Sequence, residues 1–149
     1  MMNWFPILLV THVALAVALL LPSVLLPFLL RRQQARPDPV TRMLMTAQGT
    51  GTIVIAAGLA LTGGAMLWIL GPELLTQPWL LAALVLYAIN LAVAAFVSRP
   101  NLRRMIGLRS DADDETWSRR ARRQRRVAYG MAAVIGVIGF LMSTKPELW

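Results

Sequence analysis

The sequence predicts an all-α membrane protein, an up-down bundle of four transmembrane helices with both termini on the outer face. Three observations carry that prediction. The chain of 149 residues is 57% hydrophobic and 15% charged, with a mean hydropathy of +0.60, whereas an average soluble domain is about a quarter charged. Its apolar residues gather into four runs, each long enough to cross a hydrocarbon core about 30 Å thick. Finally, 14 of the 15 basic residues fall in two stretches that flank those runs. This is the pattern of topology signals. The net charge of +8 is therefore read as membrane orientation rather than as a nucleic-acid footprint.

The first helix is expected over about 4–30. It is apolar apart from Thr11, His12 and Ser23, and Pro22 and Pro27 lie inside it. Each proline removes a backbone donor and crowds the carbonyl four residues back, so a kink near 18–22 is expected. The N-terminus lacks the basic segment of a secretory signal, and the run reads as a retained helix. The following stretch, RRQQARPDPVTR over 31–42, reads as a turn.

The second helix is expected over 44–70. Its glycines, alanines and threonines would weaken a helix in water. In lipid, small residues let backbones approach and hydroxyls bond across the contact, which makes this the expected central and most buried helix. The stretch Gly71–Gln77 is a tight turn without lysine or arginine. Pro78 then precedes the third helix, 79–97, a normal position for proline. A large polar loop is expected over 98–126. The fourth helix follows over 127–142, with Gly130, Ala133, Gly136 and Gly139 on one narrow face.

Orientation follows from the cationic side chains. The stretches after helices one and three carry four and ten, while the tail carries only Lys145. Both basic stretches are thus expected in the cytoplasm, of a bacterial inner membrane crossed several times. Trp4, Trp68, Trp79 and Trp149 fall at one outer level, where indoles anchor to headgroups.

Within the 98–126 stretch, Ser110 to Asp113 reads as a helix start. Asp111, Asp113, Asp114 and Glu115 crowd its positive end, and Arg119, Arg120, Arg122, Arg123, Arg125 and Arg126 its negative end. A cytoplasmic helix from about Asp111 could run straight into helix four. These arginines, with Trp117, are candidates for contact with anionic lipid headgroups or an acidic protein partner. The alternative is a plain stop signal for insertion.

His12 is the only histidine and the only ionisable group of its kind inside an apolar run. Such groups are costly in hydrocarbon and point to function. It lies about 12 Å below the Trp4 level by helical rise. Tyr87 and Thr62 fall at similar depths below Trp79 and Trp68. Three readings stand open: a haem or metal ligand, a hydrogen-bond donor to a quinone or proton carrier, and a structural histidine bonded to Thr62, Tyr87 or a carbonyl. No cysteine is present, so thiolate metal sites and thiol catalysis are excluded. No carboxylate pair or Ser-His-Asp set appears, and no metal site is assigned. Asn90, near the membrane middle, reads as interhelical glue. Met43 and Met45 have the spacing of some copper sites, but two thioethers at a helix start more often pack.

The pattern Trp4…Thr11-His12-Val13, Leu21-Pro22 and Pro27-x-x-Leu30-Arg31-Arg32 resembles a bacterial family of predicted integral membrane proteins, domain of unknown function 2269. Leu61-Thr62-Gly63-Gly64, Gln77-Pro78-Trp79-Leu80, Arg99-Pro100 and Met142…Lys145-Pro146 extend the likeness over nearly the whole chain. More distantly the chain is similar to copper-resistance-D-like proteins and haem-dependent membrane protoporphyrinogen oxidases. In the oxidases a lysine in a later helix accompanies the histidine. None of the four helices expected here holds one, so the resemblance implies only His12, as a candidate haem or metal ligand.

The function these residues suggest first is non-catalytic: a small accessory or scaffolding subunit of a larger respiratory or photosynthetic membrane assembly. The alternative is a haem- or quinone-associated redox protein using His12. A transporter is the third, disfavoured because carriers usually place charges near the midplane.

Overall fold

The computed structural model describes residues 4–32, 38–107 and 114–145. Helix α1 is Trp4–Arg32. Helices α2, Pro39–Thr46, and α3, Thr52–Leu70, are joined without a break by a π-helical turn at Ala47–Gly51. A 3-10 turn at Pro72–Thr76 leads to α4, Pro78–Val93. A second π-helical turn, Ala94–Ser98, carries α4 into α5, Arg99–Gly107. Helix α6 is Asp114–Thr144. Among the described residues there is no strand, and four stretches are long and apolar enough to cross a membrane: Trp4–Arg31, Pro39–Leu70, Pro78–Gly107 and Glu115–Thr144.

Much of what the sequence suggested as polar loop is helix. The second span begins at Pro39, not near 44. Asp38 caps it by accepting from the Thr41 amide at 3.0 Å, and Pro39 occupies the first turn, where its missing N–H is no loss. The third span continues past 97 to Gly107, and the fourth starts at Asp114 rather than 127. The expected cap at Ser110–Asp113 lies outside the described residues. Helix α1 runs through both prolines. Pro22, Ser23, Leu26, Pro27 and Leu30 are buried, so the prolines face the bundle. Ser23 Oγ donates to the Leu19 carbonyl at 3.4 Å.

Helix α1 packs against α3 on one side and α6 on the other, and α4 packs against α6. The lateral order is α3–α1–α6–α4, with α2, α5 and the two π-helical turns meeting at the arginine-rich end. Pairing is antiparallel: His12 meets Thr62, while Leu15, further along α1, meets Gly58, earlier on α3. At the other end α3 stops at Gly71, whose φ of +99° is one that L side chains rarely adopt.

The densest core lies at the arginine-rich end. Leu26 and Leu30 of α1, Met45 of α2, Leu102 and Met105 of α5, and Trp117 and Ala121 of α6 form one buried cluster. The physics of the two solvents explains its position. Lipid tails are as apolar as leucine, so nothing hydrophobic drives helices together in hydrocarbon. Arginines are costly there, which holds this end at water level. At water level each buried leucine or methionine contributes about 1.5–3 kcal/mol.

Two expectations about packing are corrected. The second span is not the most buried: 6% of its apolar 18-residue window is inside the bundle, against 28% for the first span. Its buried residues, among them Thr41, Met45, Gln48 and Thr52, lie toward the arginine-rich end. Trp79 is only 9% exposed and packs inside, whereas Trp68, 90% exposed, and Trp4 face outward as anchors would. Trp149 lies outside the described residues.

Candidate functional site

At the terminal end of the bundle the polar contact between α1 and α3 centres on His12. Its Nδ1 lies 2.9 Å from Thr62 Oγ1. The threonine hydroxyl also sits 3.0 Å from the Gly58 carbonyl and 3.1 Å from the Leu59 carbonyl. A hydroxyl has one proton. If that proton goes to a carbonyl of its own helix, the hydroxyl accepts from His12 Nδ1–H, and Nε2 becomes the basic nitrogen of a neutral ring. The Leu59 backbone is a further hydrogen-bond partner of the ring. Gly63 makes the room: a Cβ there would lie 3.2 Å from His12 Cε1.

Tyr87 does not join this group. Its hydroxyl donates to the Ala56 carbonyl on α3, six residues before Thr62 and so about 9 Å nearer the arginine-rich end. That bond ties α4 to α3, which otherwise touch little. Asn90 is buried in α4. Among the described residues no group of three or more histidine or carboxylate side chains is placed to hold a metal ion. The residues at hand therefore fit a ligand taken by one imidazole rather than a closed metal cage. Met45 sits in the core while Met43 is exposed, so the two thioethers do not converge.

A second polar layer, for which the sequence raised no expectation, lies under the core. Gln124 Nε2 donates to Ser98 Oγ at 2.8 Å. Asn101 Nδ2 donates to Gln124 Oε1 at 3.0 Å and approaches the Arg120 carbonyl at 3.4 Å. All three side chains are buried. Gln48, on the first π-helical turn, is also fully buried, and neither atom of its amide has a partner. The signal that could have found this layer is spacing. Trp117, Ala121, Gln124, Ala128 and Met131 are buried at alternating steps of four and three, a helical face running through the supposed loop.

The arginine surface is carried by α6. Arg119, Arg122, Arg123 and Arg126 are exposed, and Arg120 and Arg125 are half-buried. Arg119 pairs with Glu115 at 3.0 Å on an exposed helix face, a contact worth little. Trp117 is not a surface group beside them. It is 3% exposed, within the core cluster, and its indole Nε1 has no partner. The glycine face of α6 is also free: Gly130, Gly136 and Gly139 have nothing within 4 Å of a Cβ position.

A family model for predicted integral membrane proteins, DUF2269, matches residues 6–146. No curated protein matches, and no solved structure matches.

Proposed function

The chain belongs to the DUF2269 family of predicted integral membrane proteins, and we propose that it serves as a non-catalytic accessory or scaffolding subunit of a larger membrane complex, respiratory or photosynthetic, in a bacterial inner membrane. The observation that carries this reading is the uneven packing. One end is locked by a core and buried hydrogen bonds, while the spans keep their apolar flanks outward. Only 6% of the second span's most apolar window and 11% of the fourth's are inside the bundle. The glycine face of α6 is open to a neighbouring helix, the kind of surface through which helices associate in lipid. The arginines of α6 would meet anionic headgroups at the same end.

The test is gentle extraction of the tagged chain from its native membrane, followed by identification of what accompanies it. A stable set of membrane proteins is expected, diminished when Gly136 and Gly139 are both replaced by leucine while the helical content is unchanged. A chain that emerges alone in the mildest detergents, with the variant indistinguishable, would count against a subunit role.

A second reading rests on His12. A half-buried imidazole held through Nδ1 by Thr62 could bind a haem iron or a quinone carbonyl through its other nitrogen. A Soret band in the purified protein that is lost in His12→Ala would favour it.

A further inference from the structure

A cleft of about 220 Å³ opens between the end of α1 and the first turns of α6, lined by Leu30, Arg31, Trp117, Ser118, Ala121, Arg122 and Arg125. We propose that this cleft is a specific site for the phosphate headgroup of an anionic phospholipid. The inference deepens the headgroup contact of the preceding section, on which it rests, by giving that contact a location and a stoichiometry.

The first argument is charge. Three arginines from two helices line one small cleft, and no carboxylate is among its lining residues. Arg119, which pairs with Glu115, stands outside the cleft. Three like charges drawn together repel one another, and an anion between them removes that cost. Guanidiniums are also the side chains best shaped to grip phosphate oxygens in pairs.

The second argument is the wall of the cleft. Trp117 lines it as a buried residue, and the exposed Ser118 adds a hydroxyl that can donate to a phosphate oxygen.

The third argument separates a lipid from a soluble phosphate, and it is position. Arg31 directly follows the apolar run of α1, and Arg125 and Arg126 directly precede that of α6. The cleft therefore lies at the boundary between headgroups and hydrocarbon, where basic pockets between helices hold lipid phosphates. The helix faces that continue from it toward the hydrocarbon are exposed. On α1, Val24 stands two turns from Arg31. On α6, Tyr129, Ala133 and Gly136 follow Arg125.

The experiment is native mass spectrometry of the full chain in detergent, titrated with phosphatidylglycerol, cardiolipin or phosphatidylcholine. The variant Arg31→Gln/Arg122→Gln/Arg125→Gln is compared with Arg119→Gln/Arg123→Gln/Arg126→Gln, which removes the same charge outside the cleft. One anionic lipid is expected to be retained in preference to phosphatidylcholine. Its affinity should fall roughly tenfold or more in the cleft variant and change little in the other. Should the cleft variant fail to fold, Ser118→Glu at an exposed position places a carboxylate among the arginines and is expected to expel the lipid. Equal loss in both triple variants would leave a diffuse headgroup contact and overturn the site. Absence of any preference for anionic lipid would overturn the site and the headgroup contact together. Displacement of the lipid by millimolar inorganic phosphate would overturn the lipid as occupant.

Discussion

Thr62 and Gly63 hold His12 by two different means, a hydrogen bond and a missing side chain, and the two can be separated. Thr62→Val keeps the shape and removes the partner of Nδ1. Interhelical hydrogen bonds in membranes average about 0.6 kcal/mol and reach about 1.7, so a loss of that order is expected. It is measurable by titrating the folded chain with a denaturing detergent. Gly63→Leu should cost more, because a Cβ already falls 3.2 Å from the imidazole. The neighbouring Gly64→Leu should be tolerated, since nothing lies within 4 Å there. The buried Ser98–Gln124–Asn101 chain gives a sharper residue-level test. Gln124→Leu leaves two buried polar side chains without this partner, at about 1–3 kcal/mol for each orphaned group. Replacing all three by apolar residues of similar size should recover much of that loss in the same titration. Thr62 was one of three partners the sequence offered His12, because both stand out in apolar runs and fall at one depth, but depth alone did not separate it from Tyr87. Ser98, Asn101 and Gln124 do not stand out amid ten arginines, and only their helical spacing betrays them.

At the scale of elements, the apolar runs were legible and their ends were not. Hydropathy marks where lipid is tolerated, so it finds the middle of each span and stops where charge begins. A helix in water is bounded by caps and by the face it buries. The Asp38-Pro39 pair was the available cap signal for α2. The stretch 99–107 fell in the expected polar loop, yet α5 forms there with Pro100 in its first turn. A proline ring crowds the carbonyl four residues back, and the π-helical turn at Ala94–Ser98 widens the backbone just before it. Each π-helical turn adds one residue to the ladder and so sets the angle between the helices it joins. Deleting the exposed Thr50 should convert Ala47–Gly51 to regular helix. A π turn takes up its extra residue within itself, so α2 should keep its rotation relative to α3. Met45 and Thr41 should then stay in the interior, and the arginine-rich end should keep its resistance to proteolysis. Conserved helicity with that end newly open to protease would show that the extra residue sets the packing of α2.

For the whole molecule, composition and charge separation sufficed for class and span count, because the cost of placing arginine in hydrocarbon outweighs local propensity. They did not reveal which span is central, since lipid and protein interiors favour the same residues. Burial in this bundle is decided at water level, where apolar side chains have a reason to meet. The arrangement of charges makes a directional prediction. Reporter tags at residues 35 and 115 should be shielded from outside the cell, and tags at either terminus should be reachable. Moving three arginines from 31–36 into the turn at 71–77 should yield a mixed population by the same assay.

The tightest cluster in the protein draws on both ends of its chain: Leu26 and Leu30 arrive early in synthesis, Trp117 and Ala121 late. The ribosome therefore releases almost the entire polypeptide before these partners can meet. Three inserted spans must wait with greasy side chains bare at the arginine-rich end, a natural substrate for quality-control proteases. Nascent chains stopped short of α6 are expected to be short-lived in pulse-chase labelling, while supplying α6 as a separate fragment should prolong their survival.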